Sequence, residues 1–337
     1  MLVVVATGFV VGFERFPYTV LAPGSATAGE PLVKITGHPS YHHRGALLFV
    51  TVNVRDRVSG AEAVYGWLRG DQAVFPSNDV VGTHTPEEDF RTGVLEMRVS
   101  KQAAVVLAMR HLGLHVGETD RGALVTDIVH GSPADGHIGI GDTIVGIDGR
   151  TVTTSDALRL LLAAHHPGDT VHLAVRRFRQ STAVAVPLGT AQDVTVKLAS
   201  FPADGGQPAQ PNRAFLGITP VTDAAFTLPF PVDIDTGPVG GPSAGLAFTL
   251  TLIDRLSPAG ILHGHKVAAT GTIDLEGRVG PVGGVPQKTI AVRRSGADIF
   301  LVPSAEYAQA RAEAGSMRVV KVDTLDQALK IIEQLGG

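Results

Sequence analysis

Three kinds of hydrophobic spacing divide the chain. Residues 1–13 are an almost unbroken apolar run that stops at Glu14-Arg15. As a helix, thirteen residues span only ~20 Å, short of the ~30 Å hydrocarbon core of a bilayer. Val3, Val4 and Val5 equally suit a buried strand. Ala26-x-Ala28 offers a signal-peptide cleavage site, but it lies far beyond the apolar run and no basic segment precedes it. Helical spacing appears at 61–68 and at 96–112, where Val99, Ala103, Val106, Met109 and Leu112 fall on one face, and a strand is predicted at 46–54. Between 122 and 149, short β-branched runs broken by Ser-Pro and Asp-Gly predict strands and turns, followed by one helix at 155–165. A Pro/Gly-rich stretch at 201–212 reads as a linker. Beyond it the pattern predicts strands at 215–219 and 232–234, a helix at 243–256 and a hairpin joining 267–273 to 279–282. A helix then starts at Pro286 and closes near Gly296. Strands at 299–302 and 319–322 are each followed by a helix, the last opened by the capping box Thr324-x-x-Gln327. The alternation makes this an α+β multidomain chain.

Composition narrows the function. The 337 residues allow two or three domains, and 44% hydrophobic residues suffice for their cores. A net charge of -4 without a basic run argues against nucleic acid as a partner. The absence of cysteine rules out disulfides, thiolate nucleophiles and Cys-based zinc sites. His42-His43, His165-His166 and His263-x-His265 lack H-E-x-x-H spacing or a carboxylate partner, so no metal site and no cofactor is expected.

The chemistry concentrates in Gly241-Pro242-Ser243-Ala244-Gly245 and, 45 residues on, Lys288. A serine hydroxyl needs a base, and a lysine serves as one only when desolvation keeps its amine neutral. Lys288, one of seven lysines against 21 arginines, stands among Val282, Val285, Ile290, Ala291 and Val292. Gly241, Pro242 and Ala244 form the nucleophile turn, whose glycines let substrate approach the backbone, and the N–H groups opening the next helix suit an oxyanion.

Three rival chemistries fail on the same residues. An α/β-hydrolase triad runs Ser, Asp or Glu, His, but only His263 and His265 follow Ser243 and the sole intervening acid, Asp254, sits on the predicted helix. Asp235-Thr236-Gly237 fits half of an aspartic protease with no second copy in the chain. A phosphate loop ending at Lys288-Thr289 would need glycine where Val282 and Gln287 stand.

The stretches 240–248 and 269–288, the latter reading Ala-Thr-Gly-Thr-Ile-Asp-Leu-Glu-Gly-Arg-Val-Gly-Pro-Val-Gly-Gly-Val-Pro-Gln-Lys, strongly resemble the proteolytic domain of Lon proteases. The resemblance implies Ser243 as nucleophile, Lys288 as general base, and a C-terminal α/β domain like the second domain of ribosomal protein S5. The resemblance does not extend to the ATP-driven module of full Lon and the 337 residues carry no Walker A motif, so activity without nucleotide is expected. Residues 122–149, with Gly131-Ser132-Pro133-Ala134 and Gly141-Asp142, resemble a bacterial PDZ domain, β-rich with two helices. Its carboxylate-binding loop is then placed at Leu112, Gly113 and Leu114. The layout resembles bacterial membrane-anchored, PDZ-containing Lon-like proteases, in which an anchor precedes a segment like Pro17 to Gly24. That resemblance implies a hydrophobic anchor or signal-like segment at 1–29, an α/β segment packing with the protease at 30–104, a PDZ domain at 105–190, a linker at 191–213 and the proteolytic domain at 214–337. It also implies a single-pass membrane protein with its catalytic part outside the cytoplasm. The expected partners are protein or peptide substrates, and the reading is compatible with a homo-oligomer. Two functions stand against each other: an ATP-independent serine endopeptidase, and a catalytically silent PDZ scaffold at the membrane. A silent fold has no need of both Ser243 and Lys288, which favours the enzyme.

Overall fold

The structure, a computed structural model, describes residues 14–80, 85–179, 189–203 and 209–336. The strands that matter are β1 (Tyr18–Ala28), β2 (Ala46–Arg55) and β3 (Ala73–Pro76), followed by helix α1 (Pro86–His111). Next come β4 (Gly117–Ile128), β5 (Thr143–Ile147), α2 (Ser155–Leu162), β6 (Thr170–Arg176), β7 (Gln192–Lys197) and β8 (Ile218–Thr227). The C-terminal part supplies α3 (Gly245–Leu256), β9 (Lys266–Ala269), α4 (Val285–Ser295), β10 (Ile299–Pro303), β11 (Arg318–Val322) and α5 (Leu325–Glu333). These elements form two compact units. One comprises Met1–Asp89, Glu96–Leu114 and Phe230–Gly337, and the other Phe90–Leu95 and His115–Pro229.

The first unit is built on a six-stranded sheet in the order β11-β10-β9-β2-β1-β3. β9 pairs in parallel with both β2 and β10, β10 pairs in parallel with β11, and β1 runs antiparallel to β2 and β3. Central parallel strands are covered on both faces and so read as continuous apolar runs. β10, with sequence Ile-Phe-Leu-Val-Pro, is buried at every position. Helix α3 is buried along its whole length, which its sequence Gly-Leu-Ala-Phe-Thr-Leu-Thr-Leu-Ile permits. Its two threonines, Thr249 and Thr251, satisfy their hydroxyls on the carbonyls of Gly245 and Ala247, one turn back.

The expectation of a single-pass anchor is overturned. Residues 18–28 of the expected anchor form β1, which is paired on both sides within this sheet. Among the described residues no helix is long and apolar enough to cross a membrane. The apolar run 1–13 lies outside the described residues. The physical reason for the difference is that Tyr18-Thr-Val-Leu, being β-branched and aromatic, gains more from two ladders of strand pairing than from continuing a helix past Pro17.

The second unit is an antiparallel sheet in the order β8-β4-β5-β6-β7 around Ala123, Val125, Ile144, Ile147, Leu158, Leu173 and Val196. Among its described residues it holds one complete helix, α2, rather than the expected two. β7 occupies residues expected to begin the linker. Its alternation buries Val194 and Val196 in the core, so the residues expected to begin a linker form a strand.

Candidate active site

Ser243 stands in the turn that feeds α3. Gly241 takes φ +90°, a left-handed conformation that side chains resist, and this bends the chain into the turn. The turn is tied on three sides. Gly271 N–H donates to Ser243 O at 3.0 Å, Leu246 N–H to Gly271 O at 3.2 Å, and Ser100 Oγ of α1 to Pro242 O at 3.0 Å. Gly245 is required by close approach: a Cβ there would meet Ser100 Oγ at 2.8 Å and Ile273 Cγ2 at 2.9 Å. Gly241 and Pro242 therefore shape the turn, while Gly240, Ser243 and Ala244 face a cavity of about 840 Å³.

Lys288 opens onto the same cavity from the first turn of α4. That helix begins at Gly284 with φ +67°, where a Cβ would lie 2.8 Å from Val52 on β2, so glycine lets the helix start against the sheet. Pro286 fits the first turn, where no backbone donor is needed. The Lys288 side chain is 2% exposed, and burial lowers its amine from the usual lysine range to about 8, opposed by the carboxylate of Glu306.

Two residues that sequence reasoning did not single out complete the group. Lys288 Nζ donates to Thr270 Oγ1 at 3.3 Å, and Thr270 Oγ1 donates to Ser243 O at 3.2 Å, so one buried hydroxyl links the lysine to the serine turn. Glu306, in the 3₁₀ turn after β10, is the charged group acting on Lys288. Thr270 lies inside the stretch that carries the family resemblance, but nothing in its residue type marks it. The remaining wall is residues 49–55 of β2 together with Ala22, Met97, Pro238 and Val239.

Leu112, Gly113 and Leu114 are placed otherwise than expected. Their N–H groups donate to Ala108, Arg110 and Met109, closing the C-terminus of α1, and Gly113 takes φ +73° as such an end requires. Those three donors are thus engaged by the helix. In the second unit a different apolar-Gly-apolar turn, Leu216-Gly217-Ile218, leads into β8. Gly217 has φ +88°, its carbonyl accepts from Val129 N–H at 2.9 Å, and that of Leu216 accepts from Ala134 N–H at 3.0 Å. β8 ends its sheet, and its Thr222 Oγ1 accepts from the Ser155 N–H of α2 at 3.2 Å.

With this geometry in hand, comparison with known proteins gives two separate matches. Residues 111–198 match the PDZ domain family, and residues 231–334 match the Lon protease (S16) C-terminal proteolytic domain. The Lon protease of Campylobacter concisus is 35% identical over 101 residues, 28% of this chain and 12% of that protein. Lon protease 1 of Myxococcus xanthus is 35% identical over 97 residues, again 28% and 12%. The chain thus spans about an eighth of the length of these curated relatives. The PDZ domain of an SdrC-like protein from Listeria monocytogenes is 22% identical with a TM-score of 0.23, covering 30% of this chain and 88% of that one. In its two matched stretches the chain is similar to PDZ domains and to the proteolytic domain of Lon serine peptidases, the combination of a PDZ-containing Lon-like protease.

Proposed function

We propose that the chain is a serine endopeptidase in which Ser243 is the nucleophile and Lys288 the general base, working without nucleotide on extended polypeptide segments. The observation that carries this reading is a lysine 2% exposed, on one cavity with a serine, whose amine burial lowers to about 8. A neutral amine takes the proton of the Ser243 hydroxyl as Oγ attacks the scissile carbonyl. It then returns that proton to the leaving amine, and water repeats the sequence on the acyl-enzyme. Thr270, accepting from Nζ, holds the amine so that its lone pair is left for the serine. The N–H groups of Ser243 and Ala244, at the head of α3, are the proposed oxyanion donors.

Extended substrate fits the shape of the site. β9 pairs with β2 only along residues 46–49, so among the described residues the next residues of β2 have no strand neighbour on that side, and they line the cavity. A substrate adding there as a strand brings a peptide bond to Ser243, with Phe49, Met97 and Val239 offering an apolar wall to its side chains. In the second unit, the outer edge of β8 beside α2 is the proposed groove for a substrate tail, with the Leu216-Gly217 turn replacing Leu112–Leu114 as the carboxylate end.

The test is digestion of fluorescein-labelled casein by the purified chain beside Ser243→Ala and Lys288→Ala. Activity in the wild type and loss in both variants supports the reading. Full activity in Lys288→Ala removes lysine as the base, and a wild type without activity leaves the chain a binding scaffold.

A further inference from the structure

Ser100 is buried in the middle of α1, on a helix whose Met97, about one turn earlier, lines the cavity of Ser243 and Lys288. A serine inside a helix ordinarily turns its hydroxyl to the carbonyl one turn back or to water. The buried threonines Thr249, Thr251 and Thr289 do the first, each donating to the carbonyl one turn earlier at 2.8 Å. Ser100 does neither: its Oγ crosses to the nucleophile turn and donates to Pro242 O at 3.0 Å. Packing alone does not ask for a hydroxyl here. Gly245 lies so close that an added Cβ would meet Ser100 Oγ at 2.8 Å, so the position needs a small side chain, and alanine would meet that need.

Peptide geometry gives the hydroxyl its task. A trans peptide is planar, and its C=O and N–H point to opposite sides. Pro242 O belongs to the same peptide unit as Ser243 N–H, so the bond that draws this carbonyl toward α1 turns the N–H away from α1. The following unit is held in the same manner: Ser243 O accepts from Gly271 N–H at 3.0 Å and from Thr270 Oγ1 at 3.2 Å, which sets the direction of Ala244 N–H. Two consecutive N–H groups are thus aimed by pinning their carbonyls. Among the described residues neither of these two N–H groups has a hydrogen-bond partner, and both residues line the cavity. Backbone donors left without a partner are rare in a folded chain. The turn itself holds the first unit less closely, through Gly245 N–H at 3.3 Å from Pro242 O. Gly240 and Gly241, without Cβ atoms, leave the entry to the turn free to rotate, so the restraint has to come from outside it.

We infer that Ser100 is a positioning residue for the oxyanion donors: through Pro242 O it sets the direction of Ser243 N–H, so that this donor is already aimed when charge develops on the scissile carbonyl oxygen. The inference rests on the proposed reaction at Ser243. Donors aimed beforehand stabilise the tetrahedral intermediate without reorganising during the reaction, and they add little to binding of the ground-state substrate. Loss of the Ser100 hydroxyl therefore lowers turnover rather than affinity. Ser100 also lies 142 residues before Pro242 and outside the 231–334 stretch matched to Lon, so that stretch does not by itself contain everything that orients its nucleophile turn.

The test is Ser100→Ala in the full chain, with kcat and KM for casein measured beside the affinities for a peptide aldehyde and for the corresponding peptide alcohol. Ser243 Oγ adds to the aldehyde carbon, its proton passing to Lys288 and the carbonyl π pair to the aldehyde oxygen. The adduct therefore places an oxyanion where the reaction does, whereas the alcohol binds without forming a bond. Ser100→Ala should lower kcat by roughly 10- to 100-fold with KM little changed, a smaller loss than removing a donor outright. Aldehyde affinity should fall by a comparable factor and alcohol affinity should stay at the wild-type value. Ser100→Cys, which keeps a weak donor of similar shape, should fall between the two, and it poses the same question should Ser100→Ala fail to fold. A wild-type kcat per folded molecule in Ser100→Ala, or equal weakening of aldehyde and alcohol, overturns the inference and leaves Ser243 and Lys288 in their roles. A wild type that neither cleaves casein nor prefers the aldehyde to the alcohol overturns the proposed reaction and the role of Ser100 together.

Discussion

Two buried carboxylates of the second unit and the buried Lys288 and Glu306 of the first are compensated in opposite ways. In the second unit, Asp142 is 2% exposed and its oxygens accept from Arg177 Nη1 at 2.7 Å, Phe178 N–H at 2.9 Å and Gly139 N–H at 2.9 Å. Asp223, 4% exposed, accepts from Arg121 Nε at 2.9 Å and Thr143 Oγ1 at 3.0 Å. Every one of these contacts compensates the desolvation of a carboxylate, which is what a structural buried charge requires. In the first unit Lys288 has a single hydroxyl at 3.3 Å and Glu306 keeps one oxygen without a partner. Charges compensated so thinly are easily neutralised, and that is what acid–base chemistry needs and scaffolding does not.

The strongest way to break this comparison is to remove the under-compensated groups and look for loss of activity. Ser243→Ala and Lys288→Ala should each lower kcat/KM for casein by at least ~10³-fold while circular dichroism stays native, and the double variant should be no worse than either, since the two residues act as one unit. Activity should rise on the alkaline side with an inflection near the value of about 8 to which burial lowers Lys288, because only the neutral amine accepts a proton. A rate flat from mildly acid to alkaline pH would contradict lysine as the base.

The second unit should answer the reverse test. Asp223→Ala removes the carboxylate that accepts from Arg121, only 14% exposed, and from the Thr143 hydroxyl, and should destabilise the chain by ~2 kcal/mol in chemical denaturation. Cleavage of short peptides should be little changed where the chain stays folded. If Asp223→Ala is neutral in stability, the contrast between compensated and uncompensated burial fails.

How far the sequence reveals this arrangement depends on the kind of signal. Ser243 and Lys288 are legible because glycines and proline mark special backbone around them, and the structure places both on one cavity. Helices α4 and α5 are legible from Pro286, Gly296 and the Thr324 cap, whose hydroxyl accepts from Gln327 N–H at 3.2 Å. Thr270 and Glu306 are ordinary residue types that acquire their roles from strand pairing between β9 and β10, and no local spacing encodes that. Residues 18–28 misled because the resemblance drew the anchor as far as residue 29, whereas their own aromatic and β-branched residues suit pairing in a sheet. Leu112-Gly113-Leu114 misled because an apolar-Gly-apolar triplet also describes a helix C-terminus, and only the hydrogen bonds distinguish the two.

A subtler form of the contrast lies in stability. Removing a badly compensated buried charge should stabilise the fold, so Lys288→Met should gain ~2 kcal/mol at pH 7 even as it abolishes activity. The sign follows from the proton count. The lysine pKa falls from 10.5 in the unfolded chain to about 8 in the folded one, so the unfolded chain binds more protons between those values. The penalty of burying the amine is full below about 8, is relieved as pH rises through the window, and is gone above 10.5. The advantage of Lys288→Met should therefore shrink between urea titrations at pH 7 and pH 10. Glu306, losing its counter-charge, will take up a proton more readily and trim the gain at pH 7. An advantage that does not change with pH would mean that packing, not desolvation, explains it.

The smallest effect expected belongs to the edge of β8, where the second unit offers recognition rather than chemistry. Val221 on β8 and Leu160 on α2 are 43% and 75% exposed, so replacing either by Asp should leave stability within ~0.5 kcal/mol. If a substrate tail docks along β8, each replacement should slow cleavage of a long substrate with a free C-terminus by roughly 3- to 10-fold, because tethering raises its local concentration near Ser243. Short peptides, too small to occupy both sites, should be cut at the wild-type rate. Amidating the C-terminus of the long substrate should lower the rate for the unaltered chain by a similar factor, since the Leu216-Gly217 turn would lose its anion. In the Asp variants amidation should then matter less, as the two changes remove the same docking step. Equal rates for the acid and amide forms, together with indifference to both replacements, would leave the second unit without a part in capturing tails and reduce its distinction from the first to one of stability alone.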